Sequence, residues 1–427
     1  MKKLISALPA IFMLIFGTAQ AQFTLTGEVN ARSEFRNGFK KPIEESLDPA
    51  FFTEQRTRLY ANYKTTEYEI RIALQDVRMW GADGIVDKTY GGSFGIAEAW
   101  ARYYMSNKLS VKFGRQIISY DNQRMFGGLE WAMQGLRHDA ALLLYEVSLG
   151  LKIHVGLAYN QNPVTEGEPI RLSGTYYPSF TGNGPYHATG NYKHMEFAYL
   201  NKKFEAGTVS AYLINDARQY GLEDSVANRQ TYGLMGMKKL GNLKLNAEAF
   251  YQGGKVGFNN LSAYMFSLSA TVKSSVTPLI IGYDHLSGQE LNSNKNTVFA
   301  PLFGTNHAFY GFMDYFYVGN GNSNSGLQDL YLKTKFKLGK GALLGHVHYY
   351  MTASTIYESD GINEASASLG TELDLVYVRP LGSAGTFKMG YSQMFDTNSM
   401  DLIKGTSNSK TLNNWAWVQL IIKPKFI

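Results

Sequence analysis

The chain of 427 residues carries 43 glycines, 29 tyrosines and 25 phenylalanines, but 11 prolines and no cysteine. The lack of cysteine excludes disulfide staples, thiolate metal sites, cysteine nucleophiles and a lipid anchor on an N-terminal cysteine. A net charge of +6 is modest for this length and argues against a dedicated nucleic-acid binder, whose basic residues would crowd one domain.

Residues 1–21 read as a signal peptide. Lys2 and Lys3 form a positive start, 4–16 an apolar run, and Ala19-Gln20-Ala21 a small-residue cleavage site. After Ala21 no stretch approaches the ~18 apolar residues of a membrane helix. Residues 22–427 are therefore read as one all-β domain.

Strands follow from period-2 alternation bounded by turn residues. The first is 23–36, followed by a polar loop to about Phe52. In 53–63, Glu54, Arg56, Arg58, Tyr60 and Asn62 share one face, opposite Thr57, Leu59, Ala61 and Tyr63. A tight turn leads to 67–77, a longer loop to 94–104, and a tight turn again to 109–119. Arg115 falls on the parity of Leu109, Val111 and Phe113, so a bulge at Gly114 is expected to return it to the polar face. Further pairs are 135–145 with 151–160, 192–200 with 208–215, 229–240 with 243–252, and 262–272 with 279–287. After the longest loop, 288–326, come 327–338 with 342–351, 370–379 with 386–395, and a closing strand from 412. Long loops and tight turns alternate throughout. About 18 strands so connected imply a transmembrane antiparallel up-and-down β-barrel with short periplasmic turns and long extracellular loops. Aromatic residues near strand ends, such as Tyr103, Tyr145, Tyr199, Phe204, Tyr350 and Trp415, suit girdles at the lipid–water interfaces.

Charge is concentrated between 53 and 140. Arg56, Arg58, Arg71, Arg78, Arg102, Arg115, Arg124 and Arg137 recur there, interleaved with Glu54, Asp76, Glu98, Asp121, Glu130 and Asp139. Burying so many charges is costly unless they are paired or wet. A water-filled lumen resolves the conflict, with the arginines along its pathway and the acids pairing them. Arginine presents a permanently charged fork that matches carboxylates, and rings of Arg or Lys select anions in pores.

The pieces EQRTRLYANYKT, IALQDVRMWG, EAWARYY, FGRQIISYDNQRMFGGLEWAMQGLRHDA and, downstream, FGTNHAFYGFMDYF resemble the alginate export family of outer-membrane porins in order and spacing. The resemblance implies an 18-stranded barrel with an electropositive, arginine-lined lumen. The pseudomonad exporter plugs its pore with a long periplasmic loop, whereas the turn at 380–384 here is short. Occlusion would fall to 288–326 or 161–190.

The reading is an outer-membrane channel, with signal peptide 1–21 removed, that prefers acidic saccharides or small organic anions. Its surroundings are lipid and lipopolysaccharide. No cofactor, metal or catalytic residue is assigned. The alternative is a loop-closed accessory barrel presenting its outer loops to a protein partner in a secretion or adhesion complex. Enzymatic candidates are thin. His138-Asp139 and Asp284-His285 are the adjacent acid–histidine pairs, and no G-x-S-x-G elbow occurs. His346 and His348 lie two apart on one strand face, a ligand-pair spacing, and are read as lumen polar residues. Asp83, Asp87, Asp360 and Glu364 lack EF-hand order.

Overall fold

The computed structural model describes residues 22–85, 93–147, 150–160, 192–219, 226–274, 277–318 and 324–427. Residues 1–21, read from the sequence as a signal peptide, and the loop 161–190 lie outside these residues.

Eighteen strands run in chain order: β1 (Gln22–Asn37), β2 (Ala50–Lys64), β3 (Tyr68–Met79), β4 (Ser93–Tyr104), β5 (Leu109–Gln116), β6 (His138–Val147), β7 (Leu151–Tyr159), β8 (His194–Phe204) and β9 (Gly207–Gln219) form the first half. The second half is β10 (Val226–Leu240), β11 (Leu243–Val256), β12 (Asn259–Val272), β13 (Leu279–Leu286), β14 (Leu327–Leu338), β15 (Gly341–Met351), β16 (Ser368–Leu381), β17 (Gly385–Asp396) and β18 (Asn413–Ile422). Each strand pairs antiparallel with its sequence neighbours, and β1 closes the wall on β18, from Val29 opposite Ile422 to Asn37 opposite Asn414. Closure leaves no unpaired edge, as a lipid-exposed sheet requires.

Alternation sets the two faces of the wall. In β7, Ile153, Val155 and Leu157 stand on the outside, while His154, Gly156 and Ala158 are buried inside. The same holds for Leu59, Ile70, Ile72, Phe113, Leu143, Leu213, Leu234, Leu268 and Ile281, which make an exposed apolar belt. Tight turns gather at one end, the turn end. Long connections gather at the other, the loop end. One loop-end connection departs from the expected pattern: β11 and β12 are joined by a two-residue turn at Gly257-Phe258. Among the described residues a single α-helix, α1 (Asn398–Lys404), sits in the β17–β18 connection and is closed by Gly405 in the left-handed region.

The expected bulge at Gly114 is absent. Pairing of β4 with β5 runs without a break from Ala99–Arg115 to Tyr104–Ser110. Gly114 has φ +112, and a Cβ there would meet the Ala99 carbonyl oxygen at 2.2 Å, so the glycine lets the backbones approach and does not shift the register. The register shift lies one strand earlier, where Ala73 faces Glu98 and Leu74 faces Ile96, leaving Ala97 as the extra residue.

The lumen is not empty. Two loop-end connections fold inward and meet. Residues 117–137 follow β5, and 287–318 follow β13. They are joined by Gly127 N–H to Phe303 O (2.9 Å), Phe303 N–H to Met125 O (3.1 Å) and Thr305 N–H to Gln123 O (2.9 Å). The run from Asn306 opens with a 3-10 turn, Asn306–Ala308, and then packs Tyr310, Met313, Tyr315 and Phe316 completely out of solvent. Phe126, Phe299 and Trp415 are equally enclosed. Each such side chain contributes roughly 1.5–3 kcal/mol by leaving water. This apolar filling corrects part of the girdle reading. Tyr103, Tyr145 and Phe204 are exposed on the outside, but Tyr199, Tyr350 and Trp415 belong to the interior cluster.

Candidate lumen site

Strand parity and the infolded 117–137 segment divide the arginines into three groups. Arg56 and Arg58 of β2, Arg71 of β3 and Arg102 of β4 point inward from the wall. Arg124 and Arg137 ride on the infolded segment, not on the wall. Arg78 and Arg115 stand on the parity of Ile70, Ile72 and Phe113, hence on the outer face. Their acids go with them. Arg78 Nε reaches Asp76 at 2.7 Å, and Arg115 makes a two-point bond with Asp139, at 2.9 and 2.7 Å. Asp76, Arg78, Arg115 and Asp139 therefore do not line the lumen. The cause is the uninterrupted register beside Gly114 and the unshifted parity of β3. Near the loop end of the wall, outward charges meet water or headgroups instead of hydrocarbon. Arg115→Ala is expected to change stability by no more than about 1 kcal/mol, since the pair is half exposed. It should leave ion selectivity unmoved, which a reversal-potential measurement checks.

The inner-wall arginines meet the infolded segment at one carboxylate. Glu130 accepts from Arg58 Nη1 (2.6 Å) and Arg137 Nη2 (2.8 Å), and Arg56 Nη2 lies 3.4 Å away. Burial pushes the Glu130 carboxyl up, but the guanidiniums of Arg58, Arg137 and Arg56 outweigh it and hold the group below its ordinary value. Arg56 is also bound by Glu28 at 2.6 Å and donates to the carbonyl of Met133. Arg32 of β1 holds the same segment by donating to Trp131 O (2.8 Å), and its guanidinium lies 4.0 Å from the Trp131 ring centre. Arg32 also bonds Glu34 at 2.7 Å and Glu54 at 3.3 Å.

The far side of the segment is anchored by Arg124. It is enclosed and donates to Glu248 (3.0 Å), Asp284 (2.7 Å), the Tyr310 hydroxyl (3.0 Å) and Ser267 (3.2 Å), so β11, β12, β13 and the second infolded loop converge on one side chain. Asp121, three residues before it, pairs no arginine among the described residues. It accepts the hydroxyls of Tyr199 (3.1 Å), Ser210 (3.0 Å) and Tyr212 (2.5 Å) from β8 and β9.

Toward the turn end, below the infolded segment, the wall groups are wetter. Arg71 contacts Glu98 at 3.3 Å and keeps 29% of its side chain exposed; Arg102 contacts Glu146 at 3.0 Å and keeps 25%. Lys112 of β5 sits 3.9 Å from the Trp100 ring centre on the same inner face. Two further sets were missed in the sequence. Arg229 and Arg218 converge on the buried Asp216 across β9 and β10. Inward lysines also circle the turn-end mouth, among them Lys64, Lys112, Lys203, Lys244, Lys335 and Lys388. On most strands they come one or two at a time, so no run of basic residues betrays them; on β14, Lys333, Lys335 and Lys337 alternate on the inward parity. Their common signal is position, on inward parity close to a tight turn.

The acid–histidine pairs split across the wall. His138 is buried inside with Nδ1 at 3.0 Å from the Tyr192 hydroxyl, whereas Asp139 faces outward. Asp284 points in to Arg124, and His285 stacks on Tyr264 and Phe266. Neither pair forms a dyad. Asp83 is taken up by Arg78, and Asp360 accepts the Ile362 and Asn363 amides of its own turn. Asp87 lies outside the described residues.

No protein-family model matches the chain, and no curated protein matches it. Solved structures do. Pseudomonas aeruginosa OccK9 (OpdG) aligns with TM-score 0.62 at 12% identity, covering 95% of this chain and 99% of that one. P. aeruginosa OccK2 (OpdF) in complex with glucuronate aligns with TM-score 0.59 at 14% identity, over 95% and 99% of the two chains. P. aeruginosa OpdK with vanillate gives 0.57 at 10% identity, over 94% and 99%. The particular likeness to the alginate export family finds no support among these neighbours. What the chain shares with the Occ and Opd outer-membrane porins is the fold, a closed barrel of 18 antiparallel strands.

Proposed function

We propose that the protein is an outer-membrane channel of a Gram-negative bacterium, secreted with removal of residues 1–21, that passes small organic anions along an arginine-bearing side of its lumen. One observation carries the reading. Arg71 and Arg102 stay partly open on the inner wall, while the arginines around the infolded segment are enclosed. A fixed guanidinium in a narrow, partly dry lumen attracts a carboxylate more strongly than it would in bulk water. The inward lysines at the turn end extend the positive path to that mouth.

Two solved neighbours, with glucuronate and with vanillate, carry monocarboxylates, which supports the same substrate class here. A polyuronate, which the alginate-exporter resemblance would imply, suits this lumen less well. The segments joined at Phe126 and Phe303 cross it, and a polymer would have to thread past them.

Planar-bilayer recording tests the proposal. The mature chain should open anion-preferring channels, and Arg71→Ala with Arg102→Ala should move the reversal potential toward cations. Cation preference in the unchanged protein would overturn the reading, and electrical silence would favour a loop-closed accessory barrel.

A further inference from the structure

We infer that the inner wall carries a divalent transition-metal site, built by His346 and His348 of β15 with Asp374 of β16. The two histidines share the inward face at i and i+2, and Asp374 lies directly opposite His346 in the sheet register. One donor atom from each of the three lies within 4.8 Å of the others. Strand geometry fixes this convergence, because β15 and β16 are hydrogen-bonded neighbours along this whole stretch.

The free atoms point to an ion. His348 is fully buried. Its Nδ1 lies 2.9 and 2.8 Å from the two carboxylate oxygens of Asp329, and its Nε2 has no hydrogen-bond partner. A carboxylate that binds one ring nitrogen and leaves the other bare is the arrangement that orients histidines toward metals. Asp374 is buried too. Ser392 holds its Oδ1, and its Oδ2 has no partner. Nδ1 of His346 is likewise buried and unpartnered. Three unsatisfied buried atoms, one on each of these three neighbouring residues, would be a standing penalty without an occupant.

Two imidazoles and one carboxylate suit zinc or a similar borderline ion, with a fourth position left open. One group opposes it. Lys333 of β14 faces His346 across the sheet, and its ammonium is turned toward Phe309 O at 3.4 Å and the Tyr331 ring. The buried carboxylates of Asp329 and Asp374 offset that charge. His346 is only half-buried, and Phe312 of the infolded loop lies against it at 4.9 Å between ring centres.

The experiment uses the untagged mature barrel in detergent, stripped with a chelator and titrated with zinc chloride by calorimetry. Cobalt(II) is titrated in parallel to read coordination from its visible absorption. Folding of every variant is checked by heat-modifiable mobility. One zinc per barrel is expected, lost in His348→Ala, weakened about 10- to 100-fold in Asp329→Asn, and tightened in Lys333→Met. No zinc binding by the unchanged barrel overturns the inference. So does binding that persists unweakened in folded His348→Ala, because the ion would then sit elsewhere.

Discussion

Replacing Arg124 with alanine is expected to release the infolded segment 117–137 while leaving the barrel wall closed. Arg124 is the common partner of Glu248, Asp284, Ser267 and Tyr310, and it is fully enclosed. Its removal leaves two buried carboxylates without the guanidinium that binds them both. Breaking a buried pair in this way costs about 3–5 kcal/mol, and the local answer is for water to enter and the segment to unseat. The wall has its own ladder of strand pairs and needs no help from Arg124. The expected readout is a several-fold larger single-channel conductance, with new proteolytic cleavage inside 117–137 and unchanged heat-modifiable mobility. Unchanged conductance and cleavage would show that Trp131, Phe126 and the backbone bonds to 303–305 hold the segment without it.

The second large effect is expected from Glu130→Gln. Glu130 is the shared acceptor of Arg58 and Arg137 and lies 3.4 Å from Arg56, with nearly half of its side chain exposed. The amide keeps the shape and one acceptor oxygen but removes the negative charge. Arg56 stays held by Glu28 and Arg58 by Gln75, so the arginines keep their places. A passing carboxylate then meets one more uncompensated positive charge. At lumen distances and intermediate dielectric that is worth roughly 0.5–2 kcal/mol, or roughly a 2- to 30-fold rise in anion occupancy. Reversal potentials under a salt gradient should move toward anions, and Asp76→Asn, whose carboxylate lies on the outer face, should not move them. A shift toward cations would mean that the arginines had lost their positions.

The wall was legible in the sequence because lipid imposes a strict rule on it. Every second residue between turns faces hydrocarbon, so Ile153, Val155 and Leu157 announce both a strand and its outer face. The same rule placed Arg115 correctly with Phe113; the appeal to a bulge at Gly114 is what misassigned it. The inside was less legible because no single rule governs it. Residues that pack a lumen keep no period, and the segment around Arg124 has the mixed composition of any surface loop. Its burial depends on partners on β11, β12 and β13, which the local sequence does not display. The compact run after Asn306 is dense in aromatics, a signal of burial that left its conformation open. Trp415 read as a girdle residue because inner and outer aromatics look alike near a strand end.

The bonds of Arg124 also set an order of events during folding. Its partners lie 124 residues downstream at Glu248, 160 at Asp284 and 186 at Tyr310. None of these contacts can form while the chain is open, because β11, β12 and β13 must first be zipped into place. Hairpins form locally and early, whereas contacts of such long sequence separation form late. The nascent barrel therefore passes through a stage in which β11, β12 and β13 are paired and the interior beside them is still hydrated. Seating of 117–137 against 287–318 follows that pairing and dries the interior.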